Sequence, residues 1–312
     1  LVAAPYNALI PDFATNKEER LNLSTMQSTF RLIFTGVAMV LPGILISKFG
    51  MVNGVMNTEV GIRKTVILIT ILSVLGIYAC VFFLKEKQLT QNRPKSESLG
   101  FMKSVSHLKD KEIILYFLGY FFFFCGFNIL RGDLTYYLSA VMQKDIKFLT
   151  VISVILFGMA GLFFPITNKF GKKYSYKKVL IADMLLLIAG TFGLLFINKN
   201  TSTFAYVFFI ICGTGLSGAA FIFPQAMLSE ISAKLSETKN VSLEGFMFGI
   251  QGMFLKLAFL VQQVVQSTLL VVGNNNTEGV KGATELGVKV TLVVALILFA
   301  ASLFFYNLKK ED

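Results

Sequence analysis

Runs of about twenty apolar residues recur along the whole chain, at roughly 27 to 48, 65 to 84, 113 to 141, 148 to 168, 179 to 197, 203 to 228, 246 to 272 and 286 to 306. Runs this long exceed any buried strand, and none alternates as a membrane barrel strand must, so each predicts a helix that crosses a bilayer. A mean hydropathy of +0.68 and a charged fraction of 15% exclude an ordinary soluble domain. The expected fold class is an all-α polytopic membrane protein with about eight complete transmembrane helices. Ahead of them, Leu1-Val-Ala-Ala-Pro-Tyr6 reads as the end of another apolar segment, without an initiator Met or a signal-peptide layout. The chain is therefore expected to be a fragment that begins within a helix, its N-terminal remnant.

The formal net charge is +11, carried by loops between the runs rather than by an aromatic-studded soluble surface, so nucleic acid is not an expected partner. One set of alternate loops is rich in basic residues: Lys17 and Arg20, then Lys85 to Lys111, then Lys169 to Lys178, then Lys234, Lys239, Lys309 and Lys310. The other set is poorer. The positive-inside rule makes the rich set, and with it the C-terminus, cytoplasmic. The abundance of Lys, Asn, Ile and Phe suits an AT-rich bacterial genome, hence a bacterial plasma membrane. Cys80, Cys125 and Cys212 fall inside apolar runs without ligand spacing, and the single histidine, His107, sits in a charged loop. Neither a metal site nor a Ser/His/Asp hydrolase is expected, nor any cofactor, and the protein does not read as an enzyme. A membrane transferase would need clustered acids, and no paired-acid motif is present.

Against this apolar background one charge stands out. Lys256 lies about a dozen residues after Glu244, so the ammonium would sit roughly 18 Å or more from either helix end, beyond the reach of a snorkelling lysine. At mid-membrane it costs on the order of 3 kcal/mol, which calls for a polar cavity or an ion-pair partner inside a bundle. Gly245, Gly249, Gly252, Lys256 and Gln263 follow at spacings of three, four or seven and share a face, where small residues would let a second helix approach. The simpler reading is a buried structural lysine paired with a carboxylate. In the run from 113 to 141, Asn128, Arg131 and Thr135 share one face, and Asp133 lies with Tyr136 and Tyr137 on another. Arg131 or Asp133 could contact a solute or close an extracellular gate, or Asp133 could snorkel to the outer interface. Asp183 and Glu230 read as members of helix-end or loop ion pairs. The cluster of Gly213, Gly215 and Gly218 permits close helix contact.

The longest polar stretch, about 85 to 111, contains Gln91-Asn-Arg-Pro-Lys-Ser-Glu-Ser98, the composition of a flexible linker. It divides the chain into 1–84, the remainder of one helical half, the linker 85–111, and 112–312, a six-helix half. Completed upstream, this would be a six-plus-six bundle with its solute site between halves near the midplane.

Two segments carry a resemblance to a known family. The first is Pro5-Tyr-Asn-Ala-Leu-Ile-Pro-Asp-Phe-Ala-Thr-Asn-Lys-Glu-Glu-Arg20 with Leu23 and Gln27; the second is Pro224-Gln-Ala-Met-Leu-Ser-Glu230 through Glu244-Gly-Phe-Met-Phe-Gly249 to Gln251 and Lys256. Both resemble the glycoside-pentoside-hexuronide:cation symporters, the melibiose permease-like family of the major facilitator superfamily. The first is similar to that family's cytoplasmic loop after helix four, the second to its helix ten to helix eleven region, and Asn128 to Tyr137, ending in Tyr136-Tyr137, is similar to the end of helix seven. The resemblance implies a major facilitator-type helical bundle and cation-coupled symport of a sugar or glycoside by alternating access. With the helical-face and polar-cluster readings above, the expected substrate- or cation-coupling residues are Lys256, Asn128, Arg131, Asp133, Tyr137, Gln251 and Gln263. Asp12, Arg20, Glu230 and Glu244 would serve conformational change at the cytoplasmic loops.

The chain also departs from the family. Ala3 stands where a sodium-site aspartate is found, Gln27 where the family has an arginine, and Phe221 where it has a tryptophan; the chain contains no Trp. The coupling ion expected is a proton or sodium, and aromatic stacking on a sugar would fall to Phe or Tyr. The expected partners are a small solute, a sugar first, and membrane lipid, with the protein a monomer. The alternatives are a lysophospholipid or other amphipathic solute carrier of the same fold, or a non-transporting membrane sensor.

Overall fold

A computed structural model of the chain describes residues 7, 9–14, 16–52, 55–83, 110–144, 148–239, 243–273 and 282–309. Nearly all of them are helical. A short helix α1 (Ile10–Phe13) precedes α2 (Lys17–Phe49) and α3 (Thr58–Phe83), with a two-residue antiparallel ladder, Met51–Val52 on Val55–Met56, between the last two. After the stretch at 85–109 come α4 (Lys111–Tyr136), α5 (Phe148–Lys173), α6 (Tyr176–Leu194), α7 (Ala205–Leu216), α8 (Phe223–Lys239), α9 (Glu244–Leu269) and α10 (Glu285–Leu308). Two of these continue into π-helical turns: α4 into Tyr137–Val141, and α7 into Ser217–Ile222, which leads straight on into α8.

All eight apolar runs are helices, and six helices among the described residues are long and apolar enough to cross a membrane: Glu59–Phe83, Lys111–Val141, Phe148–Lys173, Ser202–Thr238, Glu244–Leu269 and Glu285–Leu308. Their outward residues are what a soluble protein would hide. Leu162 is 70% exposed, Val154 64% and Ile297 63%, a surface suited to hydrocarbon rather than water.

Short polar side chains set where the helices begin. Asn16 accepts from the Glu19 amide at 2.8 Å, Asn57 from Val60 at 3.1 Å, Asp110 from Glu112 at 2.9 Å, Ser175 from Lys178 at 3.2 Å and Thr284 from Gly287 at 2.8 Å. Each satisfies an amide that the first helical turn leaves without a partner. Acids in the first turns, Glu18, Glu19, Glu59, Glu112 and Glu285, add favourable charge at the positive end of the helix dipole.

The chain divides into two compact units, Gln27–Pro94 and a larger one made of Leu1–Met26 with Lys95–Asp312. In the smaller, α2 and α3 meet where Gly61 passes the backbone of α2; a Cβ on Gly61 would lie 2.5 Å from the Ile46 carbonyl oxygen. In the larger, α4 packs on α10 and α9, α7 on α6 and α5, and α6 on α10. The core between them is aromatic and dense, with Tyr116, Phe123, Phe209, Phe223 and Phe299 almost wholly buried. Gly213 and Gly215 allow α7 to fit between α5 and α6, because Cβ atoms there would lie 2.3 Å from the carbonyl oxygens of Leu156 and Asp183 respectively. The close contact expected of that glycine cluster is thus present.

Buried hydrogen bonds join the helices across this core. The Tyr116 hydroxyl donates to the Pro224 carbonyl at 2.7 Å, and the Gln251 amide donates to the Tyr116 oxygen at 2.8 Å, tying α4, α8 and α9 together. Ser302 donates to the Gly119 carbonyl at 2.7 Å, and Tyr137, in the π-helical turn, donates to the Leu194 carbonyl at 2.8 Å. In a surrounding without water each such group would otherwise be unsatisfied, which is costly in hydrocarbon.

Candidate functional site

Helix α9 has two faces. Met247, Phe248, Gln251, Ala258, Gln262 and Gln266 are buried against the bundle. Gly245, Gly249 and Gly252 lie on the other face, and no described atom comes within 4 Å of where their Cβ atoms would be. No helix among the described residues packs on this stripe, because the larger residues of the opposite face make the packing contacts. Lys256 and Gln263 are exposed on that open side.

Arg131 of α4 reaches the same region. Its guanidinium carbon lies 5.7 Å from the centre of the Phe259 ring, and the Lys256 ammonium lies 5.9 Å from the same centre. Two cations from different helices thus share one aromatic ring, each within cation–π range. Neither has a carboxylate within salt-bridge distance among the described residues. Asn128, one turn before Arg131, is 2% exposed and its Nδ2 has no hydrogen-bond partner.

Asp133 points the other way. It is 1% exposed, which rules out the snorkelling alternative: its carboxylate is turned into the bundle rather than along the helix to the interface. Oδ1 accepts from Gln266 Nε2 at 2.8 Å, and the Gln266 oxygen accepts from Gln262 Nε2 at 2.6 Å, while Oδ2 has no hydrogen-bond partner. The pair of glutamines fits because Gly132 has no side chain; a Cβ there would lie 2.4 Å from Gln266 Nε2. Gln262 and Gln266 were not singled out in the sequence, although two amides four residues apart in an apolar run are a readable signal of a shared polar contact. Phe259 gave no such signal.

The remaining expected site residues are placed elsewhere. Gln251 belongs to the buried contact with Tyr116 and Pro224, and Tyr137 to the junction with α6. Asp183 corrects an expectation. It is 7% exposed, packed against the π-helical turn so closely that a Cβ on Gly218 would lie 2.0 Å from its Oδ2, and that oxygen has no hydrogen-bond partner. Among the described residues no ion pair holds it, because five residues of helix carry Lys178 to a different face.

At the basic end of the larger unit, α1 and the start of α2 dock against the bundle. The Lys17 ammonium lies 3.4 Å from Glu230 and 4.6 Å from the centre of the Tyr176 ring, and the Tyr176 hydroxyl donates to the Lys17 carbonyl. Lys172 pairs with Glu18 at 2.8 Å, and Asn168 donates to the Thr25 hydroxyl at 2.7 Å. Arg20 is 9% exposed and donates to the Ala14 carbonyl at 3.0 Å. Burial raises the Tyr176 hydroxyl well above its ordinary range, with Glu230 adding to the shift, so it stays protonated and donates. These contacts enclose a cavity of about 350 Å³ whose lining includes Lys17, Glu112, Tyr176, Glu230, Lys234 and Lys309. Glu230 is thus in an ion pair, as expected of it; Glu244 begins α9 and is 8% exposed; the side chains of Asp12 and Cys80, and the residues Ala3 and His107, lie outside what the structure describes.

The long apolar helices, with charged and amide side chains turned toward a bundle interior, mark an integral membrane protein. The chain belongs to the MFS/sugar transport protein family, whose model matches residues 1–310. Comparison with curated proteins gives no match.

Proposed function

We propose that the protein is a secondary active transporter that moves a sugar or glycoside by alternating access, coupled to the symport of a proton or a sodium ion. The match to the sugar-transport family over residues 1–310 carries this reading. In it, residues 1–84 belong to the N-terminal half, 85–111 are the linker, and 112–312 the C-terminal half; the protein is a monomer of the bacterial plasma membrane with its basic end and C-terminus cytoplasmic.

Ion coupling is supported by Lys256. A lysine in mid-span needs a carboxylate partner, and Lys256 would compete with the coupling cation for that acid as the halves rock. The contacts of Lys17, Glu18, Asn168, Lys172 and Glu230 hold helix starts and turns together on the cytoplasmic side, where breaking and remaking them would accompany opening. The test is uptake of radiolabelled sugars into proteoliposomes under an imposed sodium or proton gradient. Accumulation above the equilibrium level with one of the gradients is expected. Equilibration alone, unaffected by either gradient, would leave a facilitator without coupling.

A further inference from the structure

We propose that the cavity at the basic end of the larger unit is a binding site for a phosphate group, and that its occupant ties the start of α2 to the helix ends around it. Binding there stands apart from the transport reading above; only the effect on uptake rests on that reading.

Four lysines from four parts of the chain line this cavity of about 350 Å³: Lys17 at the start of α2, Lys177 at the start of α6, Lys234 of α8 and Lys309 just after α10. The positive-inside rule accounts for basic residues at this end, but it asks only that they stand in water. Lys309 instead is 9% exposed within the lining. Lys177 is held in place as well. Its ammonium donates to the Asn307 carbonyl at 2.7 Å and to the Lys309 carbonyl at 2.5 Å, bonds to neutral acceptors that aim the charge without cancelling it and leave the third proton for a ligand. The starts of α2 and α6 add the positive ends of two helix dipoles, with Lys17 first in one helix and Ser175 capping the other.

The lining also holds acids, and each described one has a position of its own. Glu230 pairs with Lys17 at 3.4 Å, Asp110 accepts from the Glu112 amide at 2.9 Å as the cap of α4, and Glu112 lies in the first turn of that helix, at its positive end. Ammonium groups that approach from several directions suit a tetrahedral dianion, whereas a planar carboxylate is matched best by the fork of an arginine. The volume admits a phosphate together with a small group that carries it, such as glycerol. A ligand of this kind bridges α2 to α6, α8 and the end of α10, joining elements that the contacts of Lys17 with Glu230 and Tyr176 already bring together, so its binding holds this end of the unit closed.

The experiment follows the melting temperature of the purified protein in detergent with inorganic phosphate or glycerol phosphate, against chloride at equal ionic strength. A parallel series places the protein in phosphatidylcholine nanodiscs with and without phosphatidylglycerol. A saturable rise in melting temperature with a soluble phosphate is expected. Its apparent Kd should weaken about tenfold in Lys177→Gln and in Lys309→Gln, and stay unchanged in Lys199→Gln, an exposed lysine beyond the far end of α6. A rise with phosphatidylglycerol alone, lost in the same two variants, would support the site and make its phosphate that of a lipid headgroup. No rise from either source, or an equal loss in Lys199→Gln, would overturn it. In proteoliposomes with phosphate on both sides, sugar uptake should slow; uptake unchanged by bound phosphate would overturn the closing effect. Phosphate binding without uptake of any sugar would remove the transport reading and leave the site standing. If either Gln variant of the cavity fails to fold, the comparison of phosphate with chloride on the unaltered protein and on Lys199→Gln decides.

Discussion

Lys256 and Asp133 show how differently two buried-looking charges can behave. Their sequence settings are alike, an ionisable side chain inside an apolar run, yet one faces open space and the other is sealed into a hydrogen-bonded contact. For Lys256→Ala in the intact protein, loss of gradient-driven accumulation is expected with sugar exchange retained; unchanged accumulation in the uptake assay would remove the coupling role. Asp133→Ala removes the shorter of the two bonds that Gln266 Nε2 donates, leaving only the Ile129 carbonyl at 3.4 Å, and should cost about 1–3 kcal/mol of stability. Because Gln266 and Asp133 share one bond, the double variant Asp133→Ala with Gln266→Ala should be more stable than the sum of its parts, read as melting temperatures in detergent. Additive losses would show that the contact contributes nothing of its own.

At the scale of the element, α9 and α7 make the same residue type do opposite things. Gly215 lies where a Cβ would meet the Asp183 carbonyl oxygen at 2.3 Å, so Gly215→Ala must push α6 and α7 apart, at about 1–3 kcal/mol, visible as a lowered melting temperature. Gly249 borders open space, and Gly249→Ala should leave stability unchanged or slightly raised, since alanine is the better helix former. Labelling tests the same contrast: Gly249→Cys should react with a thiol reagent in the folded protein and be slowed by substrate, whereas Gly215→Cys should be inert. Helix positions were readable from apolar runs, whereas the starts set by Asn16, Asn57, Asp110, Ser175 and Thr284 lie up to ten residues before the runs begin. The π-helical turns at Tyr137–Val141 and Ser217–Ile222 were not readable, since they depend on contacts with other helices, such as that of Tyr137 with Leu194.

Over the whole molecule, the contacts at the basic end join parts of the chain more than 140 residues apart, Lys17 to Glu230 and Glu18 to Lys172. Their side chains are partly exposed, so each pair should contribute at most about 1 kcal/mol to stability. Their effect is expected in the transport cycle instead. Glu230→Lys should change the uptake rate with little effect on melting temperature, and the exchange of charges in Lys17→Glu with Glu230→Lys should restore it; failure of the exchange to restore the rate would separate the pair from the cycle.

The sequence by itself determined that this is a helical membrane protein, where its helices lie and which polar residues are unusual, since hydropathy and helix capping act over a turn or two of chain. It also carried the resemblance to sugar symporters that the family match then placed on firm ground at the level of the MFS/sugar transport protein family. Only the tertiary structure decided which of those polar residues meet. Arg131 reaches Phe259 beside Lys256, Asp133 turns to Gln266, Gln251 joins Tyr116 and Asp183 is enclosed by Gly218. Each of these depends on how helices distant in sequence are rotated and paired, and that is fixed by side-chain packing across the bundle, which no local pattern of residues specifies.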